Sequence, residues 1–366
     1  MPRPCLRVAV GVALLAATVS PACTPRPVVD GPWAYDSGAS STDSGTSGDS
    51  GRDSGPGHDS GHDSTPGDTG PGPTTDVRII VEPSDDGSAL IAAIKAAQTS
   101  VHMTMYILSD DDIISALEAA HTAGADVRVV LDAKETTYNT TSYNALKAKG
   151  IGVVWSSPSY YYTHQKTVII DGGTAWIMSM NASYSGMTSD RDYLAVDTEP
   201  DDVADAERVF AADYAGSALT SYDGALVLSP VNSKTRLLGL IEAATSTIDI
   251  EDEEYSDSDV TTALIARARA GVAVRLVLSD STPDSYETAA VGQLEAAGVS
   301  VVVTSSPYIH AKAIVVDKAT AYVGSANLTY TSLEKNRELG VIFDATAGVT
   351  AVSDTIATDF GNGGPF

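Results

Sequence analysis

A duplicated pattern of polar residues constrains this chain most strongly. Five residues recur in one order at a constant spacing of 146 residues: His164, Lys166, Asp171, Ser179 and Asn181 precede His310, Lys312, Asp317, Ser325 and Asn327. The same spacing also relates Arg191 to Arg337 and Asp192 to Glu338. A match at seven positions is very improbable by chance. The sequence therefore predicts two copies of one structural unit.

Each copy places a histidine and a lysine two positions apart, which puts both side chains on one face of a strand. A short apolar run follows, as expected for a buried strand, and then a polar turn carrying serine and asparagine. Imidazole, ammonium and carboxamide groups on one surface suit an oxyanion such as phosphate. A single His-x-Lys pair is more often structural, but two pairs in register favour a phosphodiester site.

The second copy reads His-x-Lys-x4-Asp-x6-Gly-Ser-x-Asn and resembles the signature of the phospholipase D superfamily, whose two-motif form resembles the duplication seen here. The resemblance implies that one histidine attacks phosphorus to form a phosphohistidine while the other protonates the leaving alcohol, without a cofactor. By resemblance, His164 is the nucleophile and His310 the acid. The first copy departs from the pattern at Met178, which stands in place of glycine and is expected to alter one side of the pocket.

The resemblance also assigns roles to the other repeated residues. Lys166 and Lys312 would neutralise the phosphate oxygens, and Asn181, Asn327, Ser179 and Ser325 would complete the phosphate-binding set. Asp192 and Glu338 would orient the histidines. Asp171 and Asp317 belong to the catalytic signature, but we expect them to tie strand ends together. Residues 77–366 contain no zinc, calcium or P-loop pattern, so no metal is expected.

Strands and helices alternate in both halves, which predicts an α/β fold. We expect two pseudo-symmetric lobes, residues 77–220 and 221–366, each a mostly parallel sheet flanked by helices. The active site is expected at the seam between them, because both motifs must reach one phosphate. The chain would then be a monomer with an internal pseudo-twofold axis.

The N-terminal region has a different character. Arg3 and Arg7 precede an apolar run over residues 8–19, which predicts a signal peptide over residues 1–23 and export to a bacterial cell envelope. Cys23 follows small residues, as in a lipoprotein signal, so it is either lipidated or an unmodified cysteine lost at a later cleavage. Residues 24–76 are rich in Ser, Asp, Gly and Pro, which predicts a disordered tether.

Charge bears on the substrate. The chain has a formal charge of −26, and residues 77–366 carry 39 acidic and 18 basic side chains. Nucleic acid is therefore the less favoured partner. Glu253 and Glu254, at the end of a predicted strand, would repel an anionic chain or receive a cationic headgroup.

The sequence favours a phosphodiesterase that hydrolyses or transfers phospholipid headgroups at a membrane surface. The alternatives are a secreted metal-independent nuclease and a catalytically silent lipoprotein that binds phosphorylated ligands. Tyrosines at 160–162 and 308 precede the two histidines. Their rings suit a lipid interface, base stacking or ordinary strand packing.

Overall fold

The computed structural model describes residues 71–366. The predicted signal peptide, Cys23 and the predicted tether up to residue 70 lie outside the described residues.

The predicted end of the tether at residue 76 is too late. Thr74 is buried, and its backbone N–H donates to the carbonyl of Ile342 at 2.9 Å. Its hydroxyl also donates to Asp202, so this polar segment is held by hydrogen bonds that the composition alone does not reveal.

The first lobe alternates strands with helices and ends in a long helix. Its elements are β1 (Val77–Glu82), α1 (Ser88–Ala96), β2 (Ser100–Met105), α2 (Asp111–Ala123), β3 (Asp126–Leu131), α3 (Thr136–Ala148), β4 (Gly152–Trp155), β5 (Lys166–Ile170), β6 (Thr174–Met178), α4 (Tyr184–Thr188), β7 (Asp190–Asp197) and α5 (Pro200–Tyr214).

The second lobe repeats this order. Its elements are β8 (Val227–Ser229), α6 (Ser233–Glu242), β9 (Thr247–Asp252), α7 (Ser258–Arg269), β10 (Ala273–Ser279), α8 (Ser285–Ala296), β11 (Ser300–Thr304), β12 (Tyr308–Ile309), β13 (Lys312–Val316), β14 (Thr320–Gly324), α9 (Tyr330–Glu334), β15 (Glu338–Phe343), α10 (Thr346–Asn362) and β16 (Gly364–Pro365). It adds two two-residue strands, β12 and β16, to that order.

Equivalent helices in the two lobes begin in the same way. The Asp110 carboxylate accepts hydrogen bonds from the N–H groups of Asp112 and Ile113 at the start of α2. Asp257 does the same for Asp259 and Val260 at the start of α7. An N-cap aspartate satisfies backbone donors that the first helical turn leaves free. No helix within residues 71–366 combines the length and the apolar character that crossing a bilayer would require.

The α/β class and the two lobes are as predicted, but the sheets are mixed rather than mostly parallel. The strand order is β1-β7-β6-β5-β2-β3-β4 in the first sheet, where β2, β3 and β4 run parallel and the other neighbours run antiparallel. The second sheet follows the order β16-β11-β10-β9-β13-β14-β15-β8. Neither β5 to β6 nor β13 to β14 has a crossover helix, and strands joined by a tight turn must run antiparallel.

The core has three parts. One cluster lies between the first sheet and helices α1 to α3, and a second lies between the second sheet and helices α6 to α8. The third cluster joins the remaining faces of the two sheets with α5 and α10. Strand β14 contacts both β6 and β7 across this shared core. The lobes are therefore packed sheet against sheet, with residues of both in one apolar layer.

Candidate active site

The two histidines lie where the lobes exchange backbone hydrogen bonds. Strand β12, just before His310, pairs in parallel with Asp190 and Arg191 of the first lobe. Thr163, just before His164, forms the equivalent bridge with Arg337 of the second lobe. Each histidine is therefore fixed beside the beginning of the other lobe's carboxylate-bearing strand.

As a result of this strand pairing, each histidine contacts a carboxylate of the other lobe. The Nδ1 atom of His164 lies 3.0 Å from both carboxylate oxygens of Glu338. The Nδ1 atom of His310 lies 2.9 and 3.1 Å from those of Asp192. A carboxylate on Nδ1 fixes the ring and directs Nε2 toward the reacting atom. Neither lobe alone holds a complete histidine–carboxylate pair.

Ser179 and Ser325 were expected to bind phosphate, and the structure places them elsewhere. The Ser179 hydroxyl donates to Asp192 at 2.5 Å, and the Ser325 hydroxyl donates to Glu338 at 2.7 Å. Both serines are fully buried. A second donor, the Asn336 side-chain amide, reaches Glu338 at 3.0 Å. These side chains hold the carboxylates, because a buried carboxylate needs several hydrogen bonds to stay charged.

The two lysines are buried and lie in different electrostatic surroundings. Lys166 donates to the backbone carbonyl of His164 at 2.8 Å, and burial, with the charge of Lys312, lowers its pKa to about 7. Lys312 donates to the carbonyl of His310 and to Glu253 at 2.7 Å. Burial acts to lower the pKa of Lys312, but the charges of Glu253 and Asp192 outweigh it and raise that pKa.

His164 has the more apolar surroundings of the two histidines. Its ring packs edge-on against Tyr106, with the ring centroids 4.5 Å apart. Burial lowers the pKa of His164 to about 4, even though Glu338 acts in the opposite direction. The imidazole is therefore neutral near pH 7, which a nucleophile requires.

The two asparagines reach into the site from their loops. The Asn181 side-chain amide lies 3.4 Å from Nε2 of His310, and the Asn327 amide lies 3.4 Å from Glu254. Within residues 71–366 the side-chain oxygens of both asparagines are buried without a hydrogen-bond partner. Asn181 thus lies at the reactive edge of the opposite lobe's histidine, where an amide N–H can reach a bound oxyanion.

Asp171 and Asp317 lie away from this centre, at the far ends of β5 and β13. The Asp171 carboxylate accepts hydrogen bonds from the N–H groups of Gln98, Thr99 and Ser100. Asp317 accepts equivalent bonds from Thr245, Ser246 and Thr247. These donors keep the pKa of Asp171 at about 2, despite the opposing effect of partial burial. The contacts agree with the expectation that both residues tie strand ends together.

Met178 does not line the site. It is fully buried in the cluster beneath α1 to α3, together with Met180 and Leu194. In the second lobe the equivalent Gly324 faces Gly340, and a Cβ atom on Gly324 would lie 2.6 Å from the Cα of Gly340. The departure from the signature is therefore a repacking of the core, so the expected change in the pocket is wrong.

Two further residues belong to the site. The sequence predicts that Glu253 repels an anionic chain or receives a cationic headgroup, and the structure places its carboxylate 2.7 Å from Lys312 and 3.6 Å from Nε2 of His310. Tyr106 is the member of the site that the sequence analysis missed. The sequence signal for both is the strand that precedes them, since each is the first residue after a strand paired with a motif lysine.

Comparison with known proteins agrees with this geometry. The family model described as "Cardiolipin synthase, PLD-like domain" matches the chain twice, over residues 90–214 and 237–362. The chain belongs to this phospholipase D-like family. The two matches coincide with the two lobes, and each contains one histidine–lysine motif.

The chain is also similar to two proteins named cardiolipin synthase. Cardiolipin synthase of Listeria monocytogenes is 24% identical over 330 residues, covering 78% of this chain and 68% of its own length. Cardiolipin synthase of Geobacillus kaustophilus is 25% identical over 320 residues, with 75% and 64% coverage.

Two solved structures share the fold. Phosphatidylserine synthase of Haemophilus influenzae has a TM-score of 0.60 at 12% identity, over 78% of this chain and 86% of its own. Polyphosphate kinase of Porphyromonas gingivalis has a TM-score of 0.59 at 20% identity, over 77% and 50%.

Proposed function

We propose that this protein cleaves or exchanges the headgroup of a phospholipid through a phosphohistidine intermediate. The observation that carries the proposal is the crossed pair of histidine–carboxylate contacts, which joins the two repeated motifs into one centre. Family membership supports the same chemistry, and the sequence relatives are named for the synthesis of a phospholipid.

In this reaction His164 attacks phosphorus and the bond to the headgroup oxygen breaks, while His310 gives that oxygen a proton. Lys166, Lys312 and the two asparagine amides stabilise the charge that develops on the phosphoryl oxygens. An incoming alcohol or water then breaks the phosphorus–nitrogen bond and returns a proton to His310. An alcohol acceptor gives transfer, and water gives hydrolysis.

A surface patch beside the first motif supports a lipid substrate. We call it the aromatic-basic patch; it consists of Tyr161, Tyr330, Lys134 and Lys335. Tyr161 is 43% exposed and Tyr330 is 55% exposed. The Lys134 ammonium lies 3.8 Å from the Tyr161 ring centroid, and that of Lys335 lies 5.4 Å from the Tyr330 ring centroid. Tyrosine and lysine side chains have an apolar body and a polar tip, so together they suit the headgroup region of a bilayer.

The test is turnover by the full chain on vesicles of phosphatidylglycerol, phosphatidylcholine and cardiolipin, with single-stranded DNA in parallel and EDTA present. We expect release or exchange of a lipid headgroup that His164→Asn abolishes. Cleavage of DNA alone would overturn the proposal in favour of a nuclease. Retained phosphate binding without turnover on any substrate would leave the silent lipoprotein.

We also propose that the enzyme is exported and held at the envelope through Cys23. The basic, apolar and small residues that precede Cys23 support this. Metabolic labelling with a radioactive fatty acid tests it. Cys23→Ala should abolish the label, and an unlabelled wild-type chain would contradict the anchor.

A further inference from the structure

The two half-sites differ at one equivalent position. Met105 pairs with Lys166 at the end of β2, and Asp252 pairs with Lys312 at the end of β9. The next residue in each lobe therefore occupies the same place beside a motif lysine. That residue is Tyr106 in the first lobe and Glu253 in the second.

Tyr106 gives His164 an apolar neighbour. Its ring lies against the His164 imidazole, and the Lys166 ammonium lies 4.9 Å from the ring centroid. Its hydroxyl donates to Glu135 at 3.1 Å. The position thus brings an aromatic face to His164 and no carboxylate.

Glu253 gives His310 a charged neighbour. Its Oε2 atom lies 2.7 Å from Nζ of Lys312 and 3.6 Å from Nε2 of His310. Its Oε1 atom accepts a hydrogen bond from the Tyr308 hydroxyl at 3.2 Å. Both carboxylate oxygens of Glu253 are therefore held by contacts with neighbouring side chains, and the residue is 6% exposed. Because Asp192 already holds Nδ1, His310 has a carboxylate at each ring nitrogen.

Phosphohistidine chemistry needs one neutral imidazole and one imidazolium at the same moment. We propose that Glu253 determines which histidine is protonated. It holds a proton on Nε2 of His310, so that His310 is the general acid and His164 is the nucleophile. This inference rests on the proposed function and deepens it. Glu253 acts through His310 and is a positioning residue.

The proton then has a defined route. When His164 attacks, the Nε2 proton of His310 passes to the headgroup oxygen as the phosphorus–oxygen bond breaks. Glu253 loses its cationic neighbour at that step and keeps its contact with Lys312. The acceptor's O–H later gives its proton to Nε2 as the phosphorus–oxygen bond to the acceptor forms and His164 leaves. Glu253 remains ionised throughout.

The surrounding charges agree with this assignment. The charged groups that face His310 are Asp192 and Asp190 from β7, Glu253 and Glu254 after β9, and Lys312 on β13. Burial acts to raise the pKa of Glu253, but His310 and Lys312 outweigh it and hold that pKa well below its usual range. Burial and the Glu253 charge raise the pKa of Glu254 to about 7, so Glu253 is the ionised member of this pair.

The test compares two leaving groups in the full chain. An alkyl headgroup, as in phosphatidylglycerol, needs a proton to leave, whereas p-nitrophenol in phosphatidyl-p-nitrophenol does not. Glu253→Gln should lower kcat for headgroup release on the order of 10²-fold and p-nitrophenol release by no more than about threefold. The alkaline limb of the pH profile for headgroup release should move down by about one unit or more. Glu253→Asp should restore part of the difference.

Glu207→Gln is the matched control, because Glu207 lies 2.8 Å from Nδ1 of His102 outside the site. It should leave both activities unchanged. Equal loss on both substrates by Glu253→Gln, or no loss on either, would overturn the inference while the proposed function stands. If the wild-type chain released neither product, the proposed function itself would fail.

Discussion

His164 and His310 occupy equivalent positions in two copies of one motif, yet their neighbours differ. A tyrosine ring covers one imidazole, and a second carboxylate approaches the other. Division of labour between two identical groups requires such a difference in environment. The internal repeat brings both histidines into one site, and the different neighbours of the two histidines allow them to take different roles.

The contact between Glu338 and His164 gives the first prediction. Glu338→Gln keeps the volume but replaces the carboxylate that fixes Nδ1 and stabilises positive charge on the ring. We expect kcat to fall by roughly 10²- to 10⁴-fold, with little change in the melting temperature. Steady-state kinetics and thermal unfolding of the same preparation measure this. A fall of less than about tenfold would show that Glu338 does not support the nucleophile.

The acid limb of the pH profile gives the second prediction. Burial lowers the pKa of His164 to about 4, so the ring stays neutral above that pH and kcat/KM should fall only as pH decreases through about 4. An unfolded chain takes up the same proton near pH 6.5. The corresponding contribution to stability is therefore present above about pH 6.5 and is lost as pH falls toward about 4. A half-loss of kcat/KM near pH 6.5 would contradict the assignment.

The sequence predicted which residues belong to the site, but it did not predict which side chains contact one another. Constant spacing identified His164, His310 and both lysines, because repeats preserve chemistry. It could not show that Glu338 serves His164, because a spacing carries no information about which lobe a strand faces. Nor could it show that Ser179 and Ser325 serve the carboxylates.

Among the elements, β6 and β14 show how one position can be filled in two ways. Met178 ends β6 inside the first lobe's core, whereas Gly324 ends β14 against Gly340. Met178→Ala should lower the free energy of unfolding by about 2 to 5 kcal/mol, because it opens a cavity in a packed cluster. Since Met178 does not touch the site, kcat should be unchanged. Denaturant unfolding together with kinetics tests both, and a lowered kcat at full folding would place Met178 in the pocket after all.

The elements also show where sequence reasoning ends. Residues 111–123 form α2, and the apolar spacing and the terminal glycine of this segment are local signals that indicate a helix from the sequence alone. The direction of β5 relative to β6 depends on a short turn between two buried strands, and fully apolar runs do not reveal direction. The prediction of mostly parallel sheets failed for that reason.

The whole molecule is held together by contacts that repeat across the pseudo-twofold. Arg191 pairs with Asp359 of α10 at 2.5 Å, and Arg337 pairs with Asp213 of α5 at 3.2 Å. Asp213 and Asp359 are also 146 residues apart, so the repeat extends to the partners of both arginines. Arg191 lies in β7 and Arg337 directly precedes β15, so each pair links the carboxylate-bearing strand of one lobe to the long C-terminal helix of the other. The lobes therefore depend on each other for the site and for the core.

Removing one such pair gives the fourth prediction. Arg337 is fully buried and also contacts the Tyr160 hydroxyl and the carbonyl of Ser229. Arg337→Met should cost about 3 to 5 kcal/mol, because it leaves Asp213 buried without a cation. Arg208 is exposed and pairs with Asp205 and Asp223 at the surface, so Arg208→Met should cost only about 0 to 1 kcal/mol. Equal costs for the two variants in denaturant unfolding would contradict the role of Arg337 between the lobes.

The central claim is that both motifs form one site in which His164 carries the covalent intermediate. The most direct measurement is an alkaline, denaturing quench of the full chain during turnover of phosphatidyl-p-nitrophenol, followed by peptide mass spectrometry. We predict a phosphatidyl adduct on the peptide that contains His164, and its absence in His164→Asn. An adduct on His310, or turnover without an adduct on either histidine, would contradict the account.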